Sequence, residues 1–289
     1  MIPGQFSYHA PASIPEAVIL LSRYGDDAKI LSGGQSLIPL MRFRLAQPGH
    51  IIDINGIHGL SYVREENGTL HIGALAREAD LEHEPLIAER YPLLHDAIAV
   101  IADPLVRNLA TLCGNIAHAD PANDHPAVML AYRANVLAEG PNGRRSIPID
   151  DFFVDTFVTA LEPDEVAVEV RIPAPAAHSG GAYQKLERKV GDYAIAGVAV
   201  QLALDETGCV TEAGIALTNL GPMPIRASEA EAALIGHLPD DATIAEAARL
   251  AAAAAEPVED SRGPADYKRS VARALTARAL KQALDRASA

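Results

Sequence analysis

The sequence predicts a mixed α/β and α+β protein built from three successive units. Short apolar segments of strand length alternate with helical segments, and glycine, proline and asparagine mark the boundaries between them. With 289 residues, of which 49% are hydrophobic, the chain can fill more than one core. We place the units at residues 1–56, 57–177 and 178–289.

The first unit is predicted to combine a helix with short strands. Ser13 is suited to cap a helix over 14–24, because Glu16 stands three positions later, as in a capping box. Glycine-rich and asparagine-rich turns interrupt the apolar segments that follow. The other elements predicted in this unit are strands at 28–31 and 50–54 and a loop at 32–36.

The second unit opens with a hairpin signal, since Asn67-Gly68 separates two strand-like segments, at 60–64 and 69–73. Its remaining predicted elements are helices at 77–84 and 93–101, strands at 134–138 and 166–173, and a proline-rich linker at 173–177. The third unit is predicted to begin with 182–186 and to continue through an apolar, alanine-rich stretch at 194–204. It also contains a segment of strand character at 210–220 and alanine-rich helices near 242–255 and 267–288.

Charge and termini narrow the class of partner. The formal net charge of -14 repels phosphate backbones and anionic lipid surfaces, so neither nucleic acid nor a membrane surface is an expected partner. The first residues lack the basic and apolar regions of a secretory signal, and no uncharged apolar stretch approaches the roughly 18 residues of a membrane-spanning helix. We therefore expect a cytoplasmic protein without a membrane span.

Several cofactor and catalytic motifs are absent from the sequence. It contains no G-x-G-x-x-G, Walker, H-E-x-x-H or C-x-x-C pattern, which disfavours nucleotide-dependent dehydrogenases, nucleoside triphosphatases, zincins and thioredoxins. Its two cysteines, Cys113 and Cys209, cannot ligate an iron-sulfur cluster, which usually needs four thiolates. Any such cluster must lie on another chain.

Residues 32–36 (SGGQS) are the first candidate functional segment. They follow the strand predicted at 28–31 and place two glycines side by side between hydroxyl side chains. Such a loop lets backbone N–H groups converge on an anion without obstruction by a Cβ atom, as diphosphate binding requires. An ordinary tight turn is the alternative interpretation, because glycine pairs are common in turns.

Residues 108–126 are the second candidate segment, predicted as a polar loop between apolar helices. A buried loop of this kind must satisfy its polar groups, and a bound polar ligand is one way to do so. His118, Asp120, Asp124 and His125 could instead hold a metal, but their spacing matches no standard ligand pattern, and capping or turn roles are the alternative.

Taken together, the two segments resemble the flavin-binding signatures of the molybdopterin-dehydrogenase FAD-binding family. The matching residues are 32–41 (SGGQSLIPLM) and 111–115 (TLCGN), followed by 119–121 (ADP) and Asp124. This family includes the medium subunit of aerobic carbon monoxide dehydrogenase and the flavin domain of xanthine dehydrogenase. Residues 183–193 resemble the opening of the family's C-terminal domain, so the resemblance extends over nearly the whole chain.

The resemblance implies a vanillyl-alcohol-oxidase type fold, in which two subdomains clasp FAD and a C-terminal α/β domain covers the flavin ring. The chain departs from the family at Cys113, where many relatives have glycine. This thiol is either a packing residue or, alternatively, a redox group. The implied cofactor contacts are Lys29, Leu31, Ser32, Gly33, Gly34, Gln35, Ser36, Leu37, Ile101, Ala110, Thr111, Cys113, Gly114, Asn115, Asp124, Leu161, Lys185 and Tyr193.

The implied function is electron relay within a molybdenum hydroxylase. In this interpretation a large subunit carries molybdopterin, a small subunit carries iron-sulfur clusters, and FAD on this chain passes electrons to an external acceptor. The expected assembly is a dimer of heterotrimers, and no side chain here is expected to be a catalytic acid or base. A self-contained flavin oxidoreductase and a flavin-free binding or scaffold protein are the alternatives.

Overall fold

The computed structural model describes residues 2–288 and begins with a small parallel sheet. Its three strands have the order β1-β3-β2. The side chain of Ser13 accepts a hydrogen bond from the Glu16 amide, which confirms the predicted helix cap. The elements of this part are β1 (Ser7–His9), α1 (Ile14–Tyr24), β2 (Ala28–Leu31), α2 (Leu37–Arg42) and β3 (His50–Asp53).

An antiparallel five-stranded sheet follows, with the order β4-β5-β10-β6-β7. The turn at Asn67-Gly68 joins its first two strands, as predicted, and both residues have positive φ. A separate two-stranded sheet is formed by β8 and β9. The strands are β4 (Val63–Glu66), β5 (Thr69–Gly73), β6 (Asn135–Gly140), β7 (Gly143–Pro148), β8 (Phe153–Asp155), β9 (Val158–Thr159) and β10 (Val166–Pro173).

Short helices lie in the chain between β5 and β6, the two inner strands that pair with β10. They are α3 (Glu78–Glu82), α4 (Pro85–Arg90), α5 (Pro92–Ala99), α6 (Pro104–Arg107), α7 (Leu112–His118) and α8 (His125–Tyr132).

The structure corrects two sequence-based predictions here. The helix predicted over 77–84 is shorter, and α4 and α5 each begin at a proline, a residue suited to the first helical turn. The second candidate segment is not a simple loop: it contains α7, because the side chain of Thr111 caps this helix by accepting a hydrogen bond from the Gly114 amide at 3.2 Å.

The last part of the chain is an antiparallel sheet covered by helices. Its order is β11-β12-β13-β14. The two predicted alanine-rich helices are confirmed as α10 and α11, and α11 packs on β11 and β12. The elements are β11 (Ser179–Glu187), β12 (Ala194–Leu204), β13 (Val210–Thr218), β14 (Ile225–Arg226), α9 (Ser228–Leu234), α10 (Asp241–Ala254) and α11 (Ala265–Ala287).

Two hydrophobic cores hold these layers together. One is continuous through the first two sheets and their helices, and it also takes in Tyr183, Ala199 and Ala216 from the last sheet. The other lies between the last sheet and α9, α10 and α11. Among the described residues, no helix combines the length and the apolar character that crossing a membrane would require.

Candidate cofactor-binding site

A cavity of about 740 Å³ is lined by residues of the three larger sheets and their connections. Its walls come from both candidate segments, from β2 and from the end of β11. Every cofactor contact implied by the resemblance lines this one cavity: Lys29, Leu31, Ser32, Gly33, Gly34, Gln35, Ser36, Leu37, Ile101, Ala110, Thr111, Cys113, Gly114, Asn115, Asp124, Leu161, Lys185 and Tyr193. Residues that are up to about 160 positions apart in the sequence are thus brought together.

The two candidate segments touch each other at the cavity wall. The hydroxyls of Ser32 and Thr111 lie 3.0 Å apart and share a hydrogen bond. A Cβ atom on Gly33 would overlap the carbonyl oxygen of Leu109 and stand 2.9 Å from the Cα of Ala110. Gly33 is therefore required by the close approach of the two backbones.

Gly34 is glycine for a different reason. Its φ of +73° lies in the left-handed region, and a Cβ atom there would stand 2.7 Å from Cδ1 of Ile38. The Gly34 carbonyl accepts a hydrogen bond from the Ile38 amide at 3.0 Å and so leads into α2. Both glycines thus have packing or backbone reasons within the protein, which the expectation of unobstructed anion access did not include.

Cys113 is a buried residue of α7, only 3% exposed. Its Sγ atom lies 3.8 Å from the carbonyl oxygen of Ile72, and burial raises the pKa of the thiol to about 12. The thiolate is the reactive form of cysteine, so this thiol is held in its unreactive state. The geometry fits the packing interpretation and not the redox interpretation.

Asn115 offers a polar group that the protein itself leaves unused. It lines the cavity, and its buried Oδ1 atom has no hydrogen-bond partner within residues 2–288. Neighbouring Asn123 donates to the Asn115 carbonyl at 3.0 Å, which fixes the backbone at this point. A buried polar atom without a partner is costly, so a polar ligand in the cavity is the expected way to satisfy it.

Asp124 anchors a buried charge cluster at the back of the cavity. Its carboxylate accepts hydrogen bonds from the Tyr183 hydroxyl at 2.6 Å and from the Lys185 ammonium at 2.9 Å. Lys185 also donates to the Val100 carbonyl at 3.1 Å. Burial raises the pKa of Asp124, while Lys185 and Tyr183 lower it in part. Burial and the Asp124 charge raise the pKa of Tyr183 well above its usual range, so its hydroxyl stays a donor.

Tyr193 lies at the mouth of the cavity and is about half exposed. The guanidinium of Arg262 lies over its ring, 5.9 Å from the ring centroid, and also donates to Asp192 at 3.2 Å. Neither Arg262 nor Tyr183 was a sequence-based candidate. Tyr183 stood in the segment that resembled the C-terminal domain, but no local signal in the sequence pairs Arg262 with Tyr193.

The polar residues considered as metal ligands have other partners. His125 is fully buried and its Nε2 atom lies 2.8 Å and 2.9 Å from the two carboxylate oxygens of Glu78. The ring of His118 packs on Phe157 at 5.1 Å, and Asp120 accepts a hydrogen bond from the Ala122 amide. Within residues 2–288, no three histidine, cysteine or acidic side chains group as a metal site would require.

Comparisons with known proteins agree with this architecture. Residues 4–175 match the family model for the FAD binding domain in molybdopterin dehydrogenase, and residues 181–283 match the CO dehydrogenase flavoprotein C-terminal domain. The chain is 49% identical to the carbon monoxide dehydrogenase medium chain of Hydrogenophaga pseudoflava, with 98% of both chains covered. It is 41% identical to 6-hydroxypseudooxynicotine dehydrogenase complex subunit alpha of Paenarthrobacter nicotinovorans, covering 99% of this chain and 97% of the relative.

Solved structures give the same result for the fold. Carbon monoxide dehydrogenase from Hydrogenophaga pseudoflava matches with a TM-score of 0.96 at 51% identity, and 99% of both chains is covered. Quinoline 2-oxidoreductase from Pseudomonas putida 86 matches with a TM-score of 0.93 at 35% identity over all of both chains. This chain therefore belongs to the FAD-binding family of molybdopterin dehydrogenases.

Proposed function

We propose that this chain is the FAD-binding subunit of a molybdenum hydroxylase and relays electrons from iron-sulfur clusters on a partner to an external acceptor. The observation that carries the proposal is the single cavity in which both glycine-containing segments and the Asp124 cluster meet. Bound FAD would supply the redox chemistry, since flavins take part in one-electron transfer and in hydride chemistry.

The residues of the cavity fit the chemical parts of FAD. Residues 32–36 and the amino-terminal end of α7 line the same cavity, and the backbone N–H groups of such a glycine-containing loop are suited to a diphosphate. The Oδ1 atom of Asn115, which has no hydrogen-bond partner within residues 2–288, is suited to accept a hydrogen bond from a hydroxylated chain. Asp124 contributes a fixed negative charge. We propose the direct contacts to be the full set of cavity residues named above, with Tyr193 beside the flavin ring.

Within residues 2–288, no cluster of side chains is suited to hold an iron-sulfur centre, which favours electron supply from another chain. The cysteines of this chain are the buried Cys113 and the partly exposed Cys209, which are not clustered with other metal-ligating side chains among the described residues. We therefore propose a large molybdenum-cofactor subunit and a small iron-sulfur subunit as partners, in a cytoplasmic dimer of heterotrimers. We also propose that the domains run over 1–56, 57–177 and 178–289, of which the second boundary falls between the two family matches at 4–175 and 181–283.

The relatives support a division of labour between the subunits. Full-length relatives carry the names of dehydrogenases for carbon monoxide, 6-hydroxypseudooxynicotine and caffeine, which are chemically unlike one another. Chains of one fold thus occur in complexes that oxidise very different substrates. This is best explained if another subunit selects the substrate. The cavity of this chain would then serve the flavin whichever substrate the complex oxidises.

The proposal is tested by co-producing the chain with its candidate large and small subunits and purifying the complex by a tag on this chain. We expect both partners to copurify, with FAD bound to this chain and iron-sulfur absorption from the small subunit. Absence of flavin absorption would favour the scaffold alternative. Flavin reduction by an organic substrate in the isolated chain would favour the self-contained oxidoreductase.

A further inference from the structure

The loop that carries Tyr193 is largely exposed. Residues 188–193 (the mouth loop) connect β11 to β12 at the cavity entrance. Val190 is 95% exposed, so the tip of the loop makes little apolar contact with the fold. Gly191 lies against the backbone of Ala102: its φ is +78°, and a Cβ there would stand 2.5 Å from the Ala102 carbonyl oxygen.

A turn far along the chain reaches this loop. Residues 256–263 (the C-terminal turn) lie between α10 and α11, and Arg262 extends from the turn to the mouth loop. Its Nη2 atom donates to Asp192 Oδ1 at 3.2 Å, and its guanidinium lies over the Tyr193 ring. The same Oδ1 atom of Asp192 accepts a hydrogen bond from the Tyr193 amide at 2.9 Å. One carboxylate oxygen thus joins Arg262 to the backbone of Tyr193.

The C-terminal turn is itself joined to α11 by a buried lysine. Lys268 on α11 is 1% exposed, and its ammonium donates to the Val258 carbonyl at 2.9 Å and pairs with Asp260 at 2.8 Å. Asp260 in turn accepts a hydrogen bond from the Arg262 amide at 2.8 Å. A buried ammonium is stable only if it is paired and hydrogen-bonded, so Lys268 is fixed to this turn and the turn to α11.

The charges around Asp192 favour its ionised form. Burial alone would raise the pKa of Asp192, but the Tyr193 amide, Arg262, Arg188 and Lys189 together lower it below its usual range. The carboxylate is thus available as an acceptor at neutral pH. Arg188 is at 3.7 Å, farther from Asp192 than Arg262, and its side chain is 68% exposed, so Arg262 makes the closer and less hydrated contact.

We propose that Arg262 is a positioning residue that fixes Asp192 and Tyr193 at the cavity mouth, with Lys268 holding the turn from which it acts. The effect on bound flavin rests on the proposed function, whereas the effect on the mouth loop stands on the contacts of this chain alone. Arg262 does not line the cavity, so it acts through Tyr193 and not by touching the cofactor.

Hydrogen exchange of the full chain tests the loop without any cofactor. Arg262→Gln removes the charge but keeps much of the length of the side chain, and amide exchange over 188–193 should rise about three- to tenfold from loss of one partly exposed charge-assisted hydrogen bond. Arg262→Lys should restore part of the protection. Lys268→Met should raise exchange over both the C-terminal turn and the mouth loop, and Arg249→Gln, in an exposed pair with Glu246 on α10, is the matched control.

The assembled complex gives the second measurement, the visible circular dichroism and midpoint potential of bound flavin. We expect both to differ from the wild type in Arg262→Gln and to match it in Arg249→Gln. Unchanged exchange over 188–193 in Arg262→Gln overturns the proposal whatever the flavin content. Raised exchange with an unchanged flavin spectrum and potential overturns the role of Arg262 at the cofactor. A wild-type complex that contains no flavin refutes the proposed function and leaves the loop result as a separate finding.

Discussion

Replacing Lys185 by methionine should destabilise the chain, because Lys185 and Asp124 form a buried ion pair at the cavity. The Lys185 and Asp124 side chains are 3% and 7% exposed, and their charges lie 2.9 Å apart. Methionine has a similar volume and no charge, so the variant leaves the Asp124 carboxylate buried with Tyr183 as its remaining side-chain donor.

The magnitude follows from the burial of the pair. Breaking a buried ion pair by removing one partner costs about 3–5 kcal/mol, because an uncompensated charge stays in the interior. The hydrogen bond from Lys185 to the Val100 carbonyl is lost as well. We therefore expect the free energy of unfolding to fall by about 3–5 kcal/mol near neutral pH.

The pH dependence distinguishes this cause from a simple packing defect. Burial already raises the pKa of Asp124, and Lys185 lowers it in part, so the pKa rises further in Lys185→Met. A carboxyl group with a raised pKa in the folded state takes up a proton on folding, and the destabilisation shrinks as the pH falls through that pKa. The loss of unfolding free energy in Lys185→Met should thus be largest at about pH 8 and smaller at about pH 5.

Urea unfolding followed by far-ultraviolet circular dichroism measures these values in wild type, Lys185→Met, Asp124→Asn and the double variant. The double variant removes both charges, so it should be more stable than the sum of the single losses predicts. Additive losses, or a Lys185→Met loss that is independent of pH, would refute the account of a buried pair.

Three further predictions concern a cavity glycine, a buried histidine and the two cysteines. Gly33→Ala should reduce the flavin-to-protein ratio of the purified complex, because the added Cβ overlaps the Leu109 carbonyl; Gly56→Ala, with no atom within 4 Å of its Cβ, should leave that ratio unchanged. His125→Leu should lower the free energy of unfolding by about 3 kcal/mol in urea titrations, because Glu78 stays buried without its partner, and a loss below about 1 kcal/mol would contradict this. Iodoacetamide should label Cys209 in the folded chain and Cys113 only after unfolding, as peptide mass spectrometry can show.

The sequence was sufficient to predict those parts of the structure that local signals determine. The strand predicted at 28–31 is β2, and the cap at Ser13 and the turn at Asn67-Gly68 form as predicted. Caps and tight turns depend on residues a few positions apart, so the local sequence is enough to predict them. The family resemblance then added the cavity residues, which no local pattern connects.

Sequence reasoning failed where the partner is distant in the chain. The role of Gly33 depends on the backbone of residues 109–110, which only the tertiary fold brings into contact. Arg262 is 69 positions from Tyr193, and nothing in this spacing indicates that the two side chains lie together. The helix at 112–118 was predicted as a loop because glycine and asparagine are poor helix formers, whereas the Thr111 cap stabilises it.

The position of the cavity ties ligand binding to the packing of the three larger sheets against one another. Lys29, Asn115 and Lys185 come from three different sheets or their connections, and all line the same space. The core that runs through the first two sheets also includes Tyr183, whose hydroxyl reaches Asp124. A ligand held by all three parts binds the assembled arrangement and not the separated one. It therefore stabilises that arrangement in proportion to the logarithm of its concentration over its dissociation constant, so the same contacts that bind the cofactor also hold the C-terminal sheet against the rest of the chain.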